Sequence, residues 1–172
     1  MKKKILIGIG VLLIIGITYL GIVGSDAQVI STEIDIDAAP DKVWEVLVKV
    51  EKWQEWSPII KKSSGKTAVG EALEITMVGK EPGEDGPTYN PEIIELDAPK
   101  AFRWRAHMMA GFIMTNDKSF ELEENSSGGT KLIHKEWFSG LLAPIFCGQM
   151  EEGVPPMLNK MNGALKKLIE QK

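Results

Sequence analysis

The stretch IDIDAAPDKVWEVLVKVEKWQEWSP, residues 34–58, changes period partway along. Ile34 and Ile36 alternate with Asp35 and Asp37, the two-residue repeat of a strand covered on one face. Pro40 then suits the first turn of a helix, where its missing N–H costs nothing, and Asp41 favours the positive helix end. Val43, Leu47 and Val50 recur at i, i+4 and i+7, with Trp44 and Val46 beside them. Ser57-Pro58 closes the helical region, because a residue before proline avoids the α conformation. Three of the chain's five tryptophans, Trp44, Trp53 and Trp56, fall in this strand-to-helix segment.

Outward from that stretch, the strand begins near residue 29 and places Ile30, Thr32, Ile34 and Ile36 on one face. Downstream come several short strand patterns separated by turn signals. ALEITMV (72–78) alternates, GKEPGEDGPT (79–88) reads as a turn-rich loop, and YNPEIIEL (89–96) and AFRWRAHM (101–108) follow. FIMTNDKSFELEE (112–124) and TKLIHKEWF (130–138) flank the hairpin turn NSSGG. No helical pattern separates these strands, so the sheet is expected to be antiparallel. Met157, Met161, Leu165 and Leu168, with Leu158 and Ile169, make an amphipathic helix from about 156 to 170. Pro155-Pro156 either starts that helix or interrupts a longer one beginning near Leu141.

The expected fold class is therefore α+β. A curved antiparallel sheet of six or seven strands wraps around a long C-terminal helix, and an incompletely filled core between them would be a pocket.

The N-terminal 27 residues read differently from 28–172. Residues 5–24, ILIGIGVLLIIGITYLGIVG, hold no charge, and at ~1.5 Å per residue they span the ~30 Å hydrocarbon layer of a bilayer. Lys2, Lys3 and Lys4 precede the run, and the positive-inside rule keeps that end cytoplasmic with the remaining chain extracytoplasmic. A signal peptide cleaved near Ser25 or Ala27, releasing a secreted or periplasmic domain, is the alternative, but its apolar region is typically shorter. Past residue 24 the chain has 17 Lys+Arg against 24 Asp+Glu, a formal charge of −7, which argues against nucleic acid and against strong attraction to anionic headgroups. The single Cys147 cannot form an internal disulfide.

IDIDAAPDKVWEVL, the following W…W-S-P, KSFELEENSSGGTKLIHKEWFSGLLAPIF and MNGALKKLIE together resemble the START-like or SRPBCC superfamily, and within it the polyketide cyclase/dehydrase and lipid-transport group. The resemblance covers residues 29–170. It implies a helix-grip fold with a hydrophobic cavity between sheet and C-terminal helix. By analogy, loops 79–88, 109–111 and 139–144 would surround the cavity mouth. Members of the group often carry histidine in an H-x-F-x-L pattern where this chain has Lys118.

Parity along the strands nominates the residues facing inward. Phe102, Trp104, Ala106 and Met108 share a face opposite Arg103, Arg105 and His107. Phe112, Met114, Asn116, Lys118, Phe120 and Leu122 share another, as do Leu132, His134, Glu136 and Phe138. Ile133 and Trp137 are also apolar, leaving the inward face of the last strand open. If Leu122 pairs with Leu132, then Phe120 opposes His134 and Lys118 opposes Glu136, close enough for an ion pair. His134, Glu136 and Lys118 would then orient the polar end of a ligand, exchange protons with it, or make an ordinary cross-strand charge pair beside a satisfied histidine. The apolar candidates for a ligand-binding surface are Trp53, Trp56, Met77, Phe102, Trp104, Met108, Phe112, Met114, Phe120, Phe138, Met157 and Met161.

Two histidines 27 positions apart and one cysteine are a poor metal set, and no glycine-rich loop joins a strand to a helix, so neither metal nor cofactor is expected. The sequence supports membrane-anchored, non-catalytic binding of a hydrophobic small molecule or lipid. A cyclase or dehydratase using His134 or Glu136, and a filled scaffold or sensor domain that binds a partner protein, are the alternatives.

Overall fold

In the computed structural model, residues 2–23, 28–108 and 110–171 are described. Helix α1 (Lys2–Val23) is followed by β1 (Gln28–Ile36), α2 (Pro40–Leu47), a 3₁₀ turn (Val50–Lys52) and α3 (Trp53–Trp56). The strands β2 (Ile60–Gly65), β3 (Leu73–Val78), β4 (Asp85–Tyr89), β5 (Glu92–Asp97), β6 (Ala101–His107), β7 (Thr115–Glu124) and β8 (Thr130–Ser139) come next, and α4 (Ala143–Glu170) ends the chain. This is the expected helix-grip arrangement of sheet and long C-terminal helix.

Among the described residues eight strands form rather than six or seven, in two antiparallel sheets of order β1-β8-β7-β6-β5 and β2-β3-β4. A bridge between Ala72 and Glu92 links them, with Gly70 N–H donating to the Ile93 carbonyl and Ile93 N–H to that of Glu71. Two strand readings are corrected. Loop 79–88 shrinks to 79–84, because β4 occupies its second half, and its Pro87 is tolerated on a sheet edge where no N–H is needed. The segment 112–124 starts as a strand only at Thr115.

The period change at Pro40 is a real boundary. Val43, Leu47 and Val50 are all fully buried, each side chain contributing roughly 1.5–3 kcal/mol of apolar transfer. Trp53 is sealed in the core centre. Its Nε1–H donates to the Leu47 carbonyl at 2.9 Å, and its ring centroid lies 5.2–6.2 Å from those of Trp104, Phe120 and Phe102. The short helices thus plug one end of the sheet with aromatic surface.

α4 is the longer of the two helices the sequence allowed, with Pro155 and Pro156 inside it. Met161 and Leu165 are buried in the main core, and Leu158 is fully buried as well. A second, smaller cluster joins Ile30, Met114, Phe138 and Ala143 near the helix start. The outer face of the large sheet is also organised. Asp117 is buried under the guanidiniums of Arg103 and Arg105 at 2.7–2.8 Å, and Arg103 stacks 4.7 Å above the Trp137 ring. Trp137 therefore belongs to the outer face, and Leu132, His134, Glu136 and Phe138 to the inner one.

Candidate functional site

A cavity of about 750 Å³, open to solvent, lies between the two sheets and α4. The small sheet and the turn before it supply Ile59, Ile60, Ile75, Met77 and Tyr89. The large sheet supplies Trp104, Ala106, Met108, Met114 and Phe138, and α4 covers them with Phe146, Met150, Val154, Met157 and Met161. The walls are predominantly apolar, as ligand pockets of this size are.

The buried polar part of the wall is concentrated on β7 and β8, and α4 adds the exposed Gln149 and Lys160 to the lining. Their register pairs Leu122 with Leu132, Phe120 with His134 and Lys118 with Glu136. Lys118 Nζ sits 2.6 Å from Glu136 Oε1, with the side chains only 10% and 4% exposed. Asn116 Nδ2 donates to Glu136 Oε2 at 3.2 Å, and Lys118 Nζ lies 5.7 Å above the Trp104 ring. Burial and the nearby Glu136 carboxylate hold the Tyr89 phenol above its ordinary pKa, so it stays protonated as a donor. Asn116, Lys118, Glu136 and Tyr89 all line the cavity. The result is a charge-neutral polar patch in an apolar chamber.

His134 is elsewhere. It is fully buried outside the cavity wall, its ring 4.2 Å from that of Phe120. Its Nδ1 hydrogen-bonds Asn162 Oδ1 at 2.8 Å, and Asn162 Nδ2 donates to Thr32 Oγ1 at 3.0 Å. Burial, reinforced by the Lys118 ammonium, pushes the His134 pKa well below its usual value despite the opposing Asn162 bond. The neutral ring with Nδ1–H toward Asn162 leaves Nε2 as a buried lone pair with no partner. His134 therefore ties α4 to β8 and β1, and does not present a base to a ligand.

The sequence candidates divide accordingly. Trp53, Met77, Trp104, Met108, Met114, Lys118, Glu136, Phe138, Met157 and Met161 line the cavity. Phe102 and Phe120 do not, because the aromatic cluster around Trp53 fills that end of the inner face. Trp56 packs against the core edge away from the cavity. Phe112 precedes β7 and points outward, 75% exposed. Of the expected mouth loops, Gly79 and Pro87 reach the lining, residues 139–144 do not, and Met109 is outside the described residues. Ile59, Ile60 and Tyr89 were missed: the strand carrying Ile60 is too polar to announce itself, and Tyr89 ends a strand that reads as loop. Among the described residues no three His, Cys, Asp or Glu side chains are grouped to hold a metal ion.

A family model described as polyketide cyclase / dehydrase and lipid transport matches residues 27–170. Norcoclaurine synthase from Thalictrum flavum superposes with a TM-score of 0.67 at 18% identity, covering 87% of this chain and 90% of that one. An aromatase/cyclase from Streptomyces sp. R1128 gives 0.67 at 17% identity, covering 85% and 95%. A Staphylococcus aureus protein of unknown function gives 0.64 at 14%, covering 85% and 96%. At these identities the likeness is one of fold. No curated protein sequence matches the chain.

Proposed function

The chain belongs to the polyketide cyclase/dehydrase and lipid-transport family, and from that premise we propose that it binds one hydrophobic small molecule or lipid without transforming it. The observation that carries this reading is the 750 Å³ apolar cavity in which the buried charges among the described lining residues, Lys118 and Glu136, already neutralise each other. A free carboxylate or phosphate seated beside the pair would have to pull Lys118 from Glu136 and leave that carboxylate uncompensated in a buried site, so a charged end is accommodated only toward the exposed Lys160 at the solvent side of the lining. An uncharged hydroxyl or carbonyl meets Asn116, Tyr89 and the pair without that cost. The ligand class proposed is therefore an apolar chain or ring system with an uncharged polar end.

The mutual satisfaction of the pair also favours binding over turnover, since a general base must be available to take a proton. The cyclase or dehydratase alternative now rests on Glu136 with Lys118, because His134 lies outside the cavity wall.

We further propose that α1 is a single-pass anchor with its N-terminus cytoplasmic and residues 28–172 as the extracytoplasmic binding domain. An 18-residue window of mean hydropathy 2.6, Ile5–Ile22, supports this. A signal sequence passes the same test.

Photo-crosslinking tests the ligand class on the full-length chain in its membrane. A diazirine-bearing long-chain alcohol should label cavity walls such as Met77 and Met157, and should outcompete the matching fatty acid. Labelling confined to α1, or preference for the acid, would contradict the reading.

A further inference from the structure

The strand register shows which end of the domain α1 joins. Gln28, the first residue of β1, pairs with Phe138 near the end of β8, and Phe138 also faces Asn116 near the start of β7. Thr115 pairs with Ser139 on one side and His107 on the other. β1 thus begins where β6 ends, β7 begins and β8 ends. The β6–β7 and β8–α4 connections, and the first turn of α4, lie at that same end.

These two segments hold one another. Leu141 and Leu142 N–H donate to the carbonyls of Phe112 and Ile113, and Gly140, at φ +109°, lies so close that a side chain there would meet the Ile113 carbonyl. Beyond α1, the described residues include seven exposed large apolar side chains. Four of the seven sit on this assembly: Met108 (38% exposed), Phe112 (75%), Ile145 (57%) and Phe146 (37%). Met108 and Phe146 also line the cavity, so the patch is continuous with its mouth. Neither 110–116 nor 139–150 contains a charged residue, in a chain where about a quarter of residues are charged.

The covalent connection limits where this patch can be. Only residues 24–27 separate Val23 from Gln28, and five Cα steps reach at most ~18 Å in any conformation. If α1 spans a bilayer, this end of the sheet stays within reach of the ~5–8 Å headgroup layer beyond Ile22. An uncharged apolar surface fits the interface of a neutral lipid bilayer, whereas the −7 charge past residue 24 disfavours an anionic one.

We propose that the cavity mouth docks on the neutral bilayer that α1 spans, with Phe112 and Ile145 inserted into its interface, so that a ligand passes between lipid and cavity without crossing water. The proposal rests on the anchor reading of α1.

The test uses the full-length chain in phosphatidylcholine nanodiscs, carrying Cys147→Ser and one spin label, at Phe112→Cys or at Ser127→Cys. Ser127 is on the β7–β8 hairpin turn, at the far end of ten-residue strands. Power saturation against oxygen and a water-soluble nickel chelate reports depth. The expected result is an oxygen-accessible, nickel-protected label at 112 and a nickel-accessible label at 127. Equal nickel access at both sites in disc-bound protein would overturn docking while leaving the anchor intact. A label at 112 shielded from both quenchers would mean that a second copy or a partner protein covers the patch, and would also overturn it. Failure of the chain to stay with the discs would sink the anchor reading and this proposal together. As a second readout, Phe112→Asp/Ile145→Asp should slow transfer of the diazirine alcohol from discs into the cavity by about tenfold or more, since two large apolar groups leave the interface. Its affinity for the same alcohol delivered in detergent should not change, because neither residue lines the cavity.

Discussion

At the scale of single residues, the Lys118–Glu136 pair is the feature with the largest energetic consequence. Removing one partner of a buried pair strands the other charge, at a cost of about 3–5 kcal/mol, whereas replacing both can be neutral. Glu136→Gln and Lys118→Met should each lower the urea midpoint strongly. The double variant should recover most of the loss, since two neutral side chains leave no buried charge behind. Equal and additive losses in a double-mutant cycle would mean that the two charges do not depend on each other. His134 makes a separate prediction about pH. Its folded pKa lies below 6.5, so between that value and 6.5 the unfolded chain binds a proton the folded chain does not. Stability should therefore fall as pH drops below about 6.5, with a slope of up to ~1.4 kcal/mol per pH unit from this one group. His134→Gln should flatten the profile between pH 6.5 and 5. An unchanged slope would assign it to other groups.

At the scale of elements, α4 divides at its two prolines. Neither has an N–H to give, so two successive helix hydrogen bonds are missing just before the helix joins the main core. The first half, with Phe146, Met150 and Val154, only covers the cavity, whereas the second half adds Met157 and Met161 to its lining and also carries Met161 and Leu165 into the main core. Amide exchange should be faster in 143–153 than in 158–169, and Pro155→Ala/Pro156→Ala should protect the first half. Uniform protection along α4 would contradict this division. Elements also explain what the sequence could reveal. The hairpin 118–138 was legible to the residue, because one apolar match, Leu122 with Leu132, fixes every other pair. β2 and β4 were not. IKKSSG turns only Ile60 and Ser63 inward, and DGPTY is a sheet edge built on glycine and proline. Periodicity also names a face without saying what that face meets. Phe120 and Met114 share a parity, yet one packs in the aromatic core and the other lines a void. Distinguishing them requires knowing that Trp53 fills one end of the chamber through contacts with Phe102 and Phe120, far along the chain.

For the whole molecule, the account joins an apolar chamber, an uncharged mouth and an apolar N-terminal helix attached at that same end. The anchor predicts that the chain resists alkaline carbonate extraction from membranes, and that added protease digests residues 28–172 from the outer side of intact cells. Solubilisation by carbonate would favour a cleaved signal instead. The central claim is that the cavity holds a ligand, and the most direct test is native mass spectrometry of full-length protein released from mild detergent, wild type beside Ala106→Trp. Ala106 lies between Trp104 and Met108 on the cavity wall, so an indole there would fill the chamber from inside. The account predicts one co-purifying uncharged lipid or isoprenoid per wild-type chain, and none on the variant at an unchanged melting temperature. A wild-type chain that carries no ligand, or a variant that carries as much as the wild type, would contradict it.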